Sequence, residues 1–328
     1  MDVRRAGSSD LPITPIGLGL AALGRPGYLN IGHDEDLGDD RSVATMEAHA
    51  HSVLDAAYDA GVRYIDAARS YGLAEAFLAS WLDARRLGPG DLTVASKWGY
   101  TYTADWRVDA DAHEVKDHSP EALARQVGES REILGPHLDV YQIHSATLDT
   151  GVLTDREVLE RLAALAADDV HLGFTVSGPG QAAAIEQGLE AEVDGQRLFS
   201  VVQATWNPLE PSAGDALAAA HDGGLVVVIK EAVANGRLTM RNEDPSIDTR
   251  LGRVARRHGV SHDAVALAAA LAQPFVDVVL SGAANVEQLS SNLAAEAVDL
   301  TTEELAYLEA LTERPEIYWA TRSALPWR

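Results

Sequence analysis

The chain has 328 residues, 46% hydrophobic and 23% charged, enough to bury a large core within one domain of closed-barrel size. With 50 acidic and 26 basic residues its formal charge is −24, which argues against nucleic acid or an anionic membrane as partner, since both need a basic footprint. There is no cysteine, which excludes disulfides, thiolate metal sites and cysteine nucleophiles. No apolar run reaches the ~18 residues of a membrane span, and Met1 to Leu11 carry no apolar segment of signal-peptide type, so a cytoplasmic protein is expected.

In chain order, residues 16–20 read as a first strand and 43–60 as a helix ending at Gly61. A second strand at 62–67 leads to a helix at 74–86. A third at 92–98 leads to a helix capped by Ser119, with Pro120 at its first position, running to Leu134. Strands at 140–144, 170–176, 199–204, 225–230 and 276–281 follow. Between and after them lie helices at 155–167, 181–189, 214–221, 248–258, 261–273 and 286–295. A last helix at 302–311 opens on Thr301-Thr302-Glu303-Glu304, and a tail with Tyr318, Trp319 and Trp327 closes the sequence.

The strands are short and nearly continuous in apolar character, as parallel strands buried on both faces are. Eight strand-then-helix units predict an α/β fold, a (β/α)8 TIM barrel in one domain over 1–328. An open doubly wound sheet is the alternative. Gly17-Leu18-Gly19 lacks the third glycine of a dinucleotide-binding turn, and Gly24 lies at the wrong distance. Two long connections, 24–41 and 100–118, leave strand C-termini, the face where barrel sites sit, and read as binding loops.

Three titratable residues end apolar strands: Asp66, Lys97 and His144. By alternation Tyr64 shares a face with Asp66, Ala95 with Lys97, and Gln142 with His144. Taken singly, each has a plainer reading as a helix cap, a solvent-facing lysine or a hydrogen-bonded histidine. Their equivalent places on three consecutive strands, with Tyr71 five residues past Asp66, favour chemistry.

With these residues the sequence resembles the aldo-keto reductase family. Asp66-Ala67-Ala68-Arg69-Ser70-Tyr71-Gly72-Leu73-Ala74-Glu75 is similar to the family's D-x-A-x-x-Y-G-x-x-E segment. Ser96-Lys97 ends a strand as the family lysine does, and Asp139 to His144 follows its D-x-x-x-x-H pattern. The similarity continues through 172–177, 203–207, 234–238 and 281–292, in family order over nearly the whole chain. The resemblance implies hydride transfer between a nicotinamide cofactor, NADP(H) ahead of NAD(H), and a small-molecule carbonyl or alcohol (aldehyde, ketone or sugar-like). Tyr71 would be general acid in reduction and general base in oxidation. Lys97 would lower the phenol from its free pKa of about 10, Asp66 would hold Lys97 charged and aimed, and His144 would orient the carbonyl.

For the cofactor, the resemblance implies a Ser-Asn pair after the fifth strand and a glutamine on the sixth, both on the carboxamide. Gln203 matches the glutamine. Gly173 to Gly178 lacks the asparagine, so either Thr175-Val176 or Ser177-Gly178 takes that place. Lys230, two residues before Ala232, stands where the family has an aromatic that stacks on the nicotinamide, and Trp206 is a candidate substitute. Ala234-Asn235-Gly236-Arg237-Leu238 corresponds to the loop around the pyrophosphate. Ser281, Gly282 and Ala284, with Gln288 and Asn292, correspond to the adenosine-phosphate segment before a helix N-terminus. The basic residue that NADP-preferring members often carry near Ala284 is missing. Trp98, Tyr100, Trp106 and Trp206 are expected in the substrate wall.

His49-x-His51 resembles the metal pair of barrel amidohydrolases, but on a helix residues two apart point to different faces, and no metal site is expected. His113 and His118 are expected to be solvent-exposed or substrate-lining. Two other functions compete on the same barrel: a non-catalytic nucleotide-binding accessory protein, against which the intact tetrad speaks, and a metal-dependent hydrolase.

Overall fold

The computed structural model describes residues 1–5, 7, 11–166 and 170–328. Eight parallel strands close into a barrel: β1 (Ile16–Gly19), β2 (Tyr64–Asp66), β3 (Thr93–Trp98), β4 (Leu138–Ala146), β5 (His171–Val176), β6 (Val201–Thr205), β7 (Val226–Lys230) and β8 (Val278–Ser281). They neighbour one another in chain order, and β8 pairs back onto β1. This is the (β/α)8 barrel predicted from eight alternating units.

Two faces of each strand serve two layers. Tyr64, Ala95, Val140, Val201, Val226, Val228, Val278 and Leu280 fill the lumen, with Leu11 and Ile13. Pro12–Ile13 pairs with Arg4–Arg5, and Arg4 donates to the Asp277 carbonyl at 2.6 Å, so the N-terminal hairpin rests against the barrel. The opposite faces, among them Ile65, Val94, Tyr141, Val202, Val227 and Ile229, pack under the helices.

Helices α1 (Val43–Asp59), α2 (Ala74–Arg85), α3 (Pro120–Leu134), α4 (Arg156–Ala166), α5 (Gln181–Leu189) and α6 (Gly214–Asp222) each follow one strand. After β7 come α7 (Pro245–His258) and α8 (His262–Leu271), and after β8 comes α9 (Val286–Leu293). Caps set their starts: the side chains of Ser42, Ser119, Asp244, Ser261 and Asn285 each accept a first-turn N–H. Gly61, φ 97°, follows the C-cap of α1 as expected. Helix α10 (Thr302–Glu309) begins with a capping box between Thr301 and Glu304.

Several expectations shift. Helix α7 begins three residues before 248 because Asp244 caps it and Pro245 takes its first position. The end expected at Ala167 for the helix after β4 lies outside the described residues. Strand β4 runs past 144 and kinks where Ser145 adopts φ 53° and the register with β5 slips. The third loop carries its own hairpin, Tyr100–Tyr102 against Glu114–Lys116, and the first loop a short helix, His33–Leu37. The tail forms α11 (Pro315–Ser323), again with proline at its first position. No helix among the described residues is long and apolar enough to cross a membrane.

Candidate active site

Three strands feed a carboxylate carried by a fourth. Asp66, last residue of β2, takes the Lys97 ammonium from β3 on one oxygen. Its other oxygen accepts from Gln142 Nε2 of β4 at 3.3 Å and Gln203 Nε2 of β6 at 3.0 Å. Lys97 Nζ also donates to the Ala67 carbonyl at 2.8 Å and to the Tyr71 hydroxyl at 3.4 Å. The His144 ring meets the Tyr71 ring edge-on, centroids 5.5 Å apart, and its Nδ1 lies 3.5 Å from Ser70 Oγ. Asp66, Tyr71, Lys97 and His144 are therefore gathered at one mouth of the barrel.

The loop that carries Tyr71 is fixed by backbone and by Glu75. Arg69 N–H donates to the Lys97 carbonyl and Leu73 N–H to the Gly24 carbonyl. Glu75, in the first turn of α2, is buried and accepts from Ser96 and Ser130 hydroxyls while pairing with Arg69. The motif's glutamate thus ties α2 to β3 and α3. Gly24 is required by close approach: a Cβ there would stand 2.3 Å from the Tyr71 carbonyl oxygen and 2.4 Å from Ala74 Cβ.

Electrostatics correct one expectation. Tyr71 is held well above the usual phenol range, first by burial and then by the Asp66 carboxylate. Lys97 sits at contact distance, but its charge is matched by Asp66, and desolvation dominates. Burial also pulls Lys97 down, opposed by Asp66. Burial and the cations Lys97, Lys230 and Arg25 push His144 well below its ordinary value, so its ring is neutral at pH 7.

A cavity of about 390 Å³ opens beside these residues. Tyr71, His144 and Gln203 line it, with Arg25, Tyr28, Trp327, Tyr100, Glu114 and Ser145. Ser177, Gly178, Lys230, Glu231, Ala232, Asn235 and Gly282 continue the wall, and Trp319 and Arg322 of α11 complete it. The Arg25 guanidinium lies over the rings of Tyr28, Tyr71 and Trp327 at 5.3, 5.1 and 4.7 Å, and donates to Glu114 at 3.0 Å.

Three of the four expected substrate aromatics lie elsewhere. Strand alternation explains two: with Lys97 turned inward, Trp98 turns outward into the helix layer, and with Gln203 and Thr205 inward, Trp206 does the same. Trp106 packs on Phe77, and its Nε1 donates to the Arg41 carbonyl at 2.7 Å. Trp206 therefore cannot replace the aromatic absent at Lys230. Only Tyr100 of the four lines the cavity.

The expected cofactor residues divide likewise. Ser177 and Gly178 face the cavity, whereas Thr175 is buried and its Oγ1 accepts from Ser145 N–H at 2.7 Å. Gln203, Lys230, Ala232, Asn235 and Gly282 line it, and Gly236 backs onto Asn30 and Ile31. Arg237 pairs with Glu313, and Leu238 is core. Asn292 donates to Ser281, and Gln288 accepts from Ala284 N–H, so these four hold turns and do not form wall. Among the described residues, Gly178 and Gly282 present bare backbone, with no atom beyond their chain neighbours within 4 Å of a Cβ position, and the buried Oδ1 of Asn235 has no partner. Open backbone and an orphaned acceptor fit a bound nucleotide.

Beside Lys230, two charged groups that sequence reasoning missed, Glu231 and Arg322, line the same cavity. Lys230 Nζ donates to Thr205 Oγ1 at 2.9 Å, lies 3.9 Å from the Glu231 carboxylate and 5.7 Å from the Trp319 ring. Burial pushes it down to about 8. Burial would raise Glu231, but Arg322, bonded to both its oxygens, and Lys230 outweigh that and hold it at about 2. Asn207 secures this corner by donating to the Glu231 carbonyl and the Tyr318 hydroxyl. The first loop bridges outward from here: Asn235 Nδ2 donates to the Leu29 carbonyl, and Asp36 accepts from Arg241 and Asn285. His49 and His51 turn to separate partners, the Ala284 carbonyl and the Phe77 carbonyl with Ser80. Among the described residues no three His, Asp or Glu side chains converge as a metal site. His118 donates to the His144 carbonyl, and His113 stacks on Trp327 at 4.1 Å.

Residues 15–313 match the Aldo/keto reductase family. The chain is 25% identical over 332 residues to the aldo-keto reductase ausK of Aspergillus calidoustus, covering 93% of this chain and 80% of that one. It is 26% identical over 313 residues to D-threo-aldose 1-dehydrogenase of a Pseudomonas species, covering 87% and 92%. The holo form of the aldo-keto reductase AKR11C1 from Bacillus halodurans has the same fold, with a TM-score of 0.71 over 96% of this chain and 97% of that one at 24% identity. The family match runs from the first barrel strand to beyond α10 and leaves no barrel element outside it, and the chain belongs to the Aldo/keto reductase family.

Proposed function

We propose that the protein interconverts a small carbonyl compound and its alcohol, with a nicotinamide nucleotide as hydride carrier, NADP(H) ahead of NAD(H), and Tyr71 as general acid and base. Family membership makes the chain an oxidoreductase of carbonyls and alcohols. The finer reading is carried by one observation: the Tyr71 hydroxyl, 3.4 Å from Lys97 Nζ and beside a neutral His144, belongs to a residue that lines the cavity.

When bound, the nucleotide supplies or accepts the hydride. Ser177, Gly178, Gln203, Ala232, Asn235 and Gly282 would hold it. The preference for NADP(H) rests on the family's habit, since Arg241, which shares Asp36 with the Asn285 turn, is already matched by that carboxylate. In reduction Tyr71 gives its proton to the carbonyl oxygen as charge develops there, and the Lys97 ammonium stabilises the phenolate left behind. Asp66 holds that ammonium in place. The raised pKa keeps Tyr71 protonated at neutral pH, the form reduction needs, whereas oxidation needs the phenolate and gains at alkaline pH. His144, neutral and fixed against Tyr71, positions the substrate oxygen.

Tyr71→Phe tests the reading. Nucleotide oxidation with a panel of aldehydes, ketones and sugar lactones should fall by at least ~10²-fold, while the nucleotide still quenches tryptophan fluorescence. Undiminished turnover would remove Tyr71 from the chemistry. Quenching without turnover in either protein would favour a nucleotide-binding accessory role, and no quenching would remove the nucleotide.

A further inference from the structure

We propose that Lys230 anchors a carboxylate on the substrate, so that this cavity takes carbonyl compounds that also carry a monoanionic acid group. The inference rests on the carbonyl-oxidoreductase reading above and adds the substrate class.

The argument is a matching of charges. Among the described residues, four cations and three carboxylates surround the cavity and the Tyr71 centre. Glu114 is taken by Arg25, Asp66 by Lys97, and Glu231 by Arg322 through both oxygens. Lys230, which has no ring to stack on a nicotinamide as the family's aromatic does, is the fourth cation. Its ammonium makes one hydrogen bond, to the neutral Thr205 hydroxyl, and stands 3.9 Å from a carboxylate already engaged by a guanidinium. An ammonium has three N–H donors, and the Thr205 hydroxyl takes one of them. The side chain is 16% exposed, and it lines the cavity that Tyr71 and His144 line.

A surplus cation stands out in a chain of charge −24, where no general attraction for anions exists. A carboxylate placed on Lys230 would complete its donor set with charge-assisted bonds. The Trp319 face, 5.7 Å from Nζ, offers apolar surface to the adjoining carbon skeleton. Glu231 beside the ammonium disfavours a second negative charge, which selects a carboxylate over a phosphate dianion. Burial holds Lys230 at about 8, so it carries its charge at neutral pH.

Matched aldehydes test this at pH 7: succinic semialdehyde against butanal, and 4-formylbenzoate against its methyl ester. The wild type should favour the acid of each pair in kcat/KM by about tenfold or more, the discrimination one charge-assisted bond supplies. Lys230→Met should bring that ratio to about one, whatever the absolute rates, and Lys230→Arg should retain it. Equal or reversed preference in the wild type, or a ratio unchanged in Lys230→Met, would overturn the proposal. A second measurement needs no turnover: fluorescence titration with benzoate and benzamide should show tighter benzoate in the wild type and no difference in Lys230→Met. Equal binding in the wild type would overturn the anchor. Absence of turnover with every aldehyde, together with selective benzoate binding, would sink the reductase reading and leave the anchor standing.

Discussion

Asp66→Asn should be the most informative single change in the barrel. The substitution keeps the shape of the side chain but removes its charge and one acceptor. Wild-type Asp66 accepts from Lys97, Gln142 and Gln203, all buried. An asparagine can turn its one oxygen to Lys97 or to the two glutamines, and either way its amide meets donors. With that oxygen on the glutamines, the Lys97 ammonium keeps only the Ala67 carbonyl and the Tyr71 hydroxyl. Breaking a buried ion pair from one side costs ~3–5 kcal/mol, a large part of a total stability of ~5–15 kcal/mol. Release of the Lys97 proton limits the cost, because burial already draws its pKa down. The assay is urea unfolding followed by tryptophan fluorescence at pH 7 on wild type, Asp66→Asn, Lys97→Met and the double variant. Lys97→Met should recover at least ~2 kcal/mol when added to Asp66→Asn, since it removes the stranded charge. A loss below ~1 kcal/mol in Asp66→Asn, or strict additivity in the double variant, would refute the pairing as a stabilising interaction.

Acid stability should report Glu231. Its carboxyl is held at about 2 against an ordinary 4.5, so its contribution is present above about 4.5 and lost as pH falls toward about 2. The gap corresponds to ~3 kcal/mol, and Glu231→Gln should flatten that limb of a stability-against-pH curve; an unchanged limb would assign it to other carboxylates. Gly24→Ala forces a methyl against the Tyr71 carbonyl and Ala74. It should cost ~1–3 kcal/mol by overpacking and lower kcat by displacing the Tyr71 loop, read from melts and steady-state rates. Wild-type values in both would mean that the two loops separate without consequence.

The barrel and its four central residues were legible because their signals are local. Each strand is one apolar run, and Asp66, Lys97 and His144 interrupt such runs at equivalent points. Alternation placed Tyr64, Ala95 and Gln142 with them, and the same rule turns Trp98 away, so expecting Trp98 in the wall contradicted the period that located Lys97. What was not legible depends on distant packing. Trp319 and Arg322 reach the cavity because α11 docks through Tyr318 onto Asn207, across 111 residues. Arg25 lies in an irregular loop whose path is set by Ser70 and Glu114, 45 and 89 residues away. The direction of the Tyr71 shift follows from its burial, a quantity no local pattern carries. Proline at the first helical position was an unused local sign at both α7 and α11.

The reach of the Asp66 carboxylate also bears on how the chain assembles. Its partners lie 31, 76 and 137 residues along the sequence. Contacts of such separation come late, because ordering the intervening chain is costly before they can reward it. A folding intermediate holding β1 to β5 could present Asp66, Lys97, Tyr71 and His144 together, yet Gln203 would still be missing from the carboxylate. Recovery of activity during refolding should therefore lag the recovery of helical signal, and the active centre doubles as a sensor of ring closure.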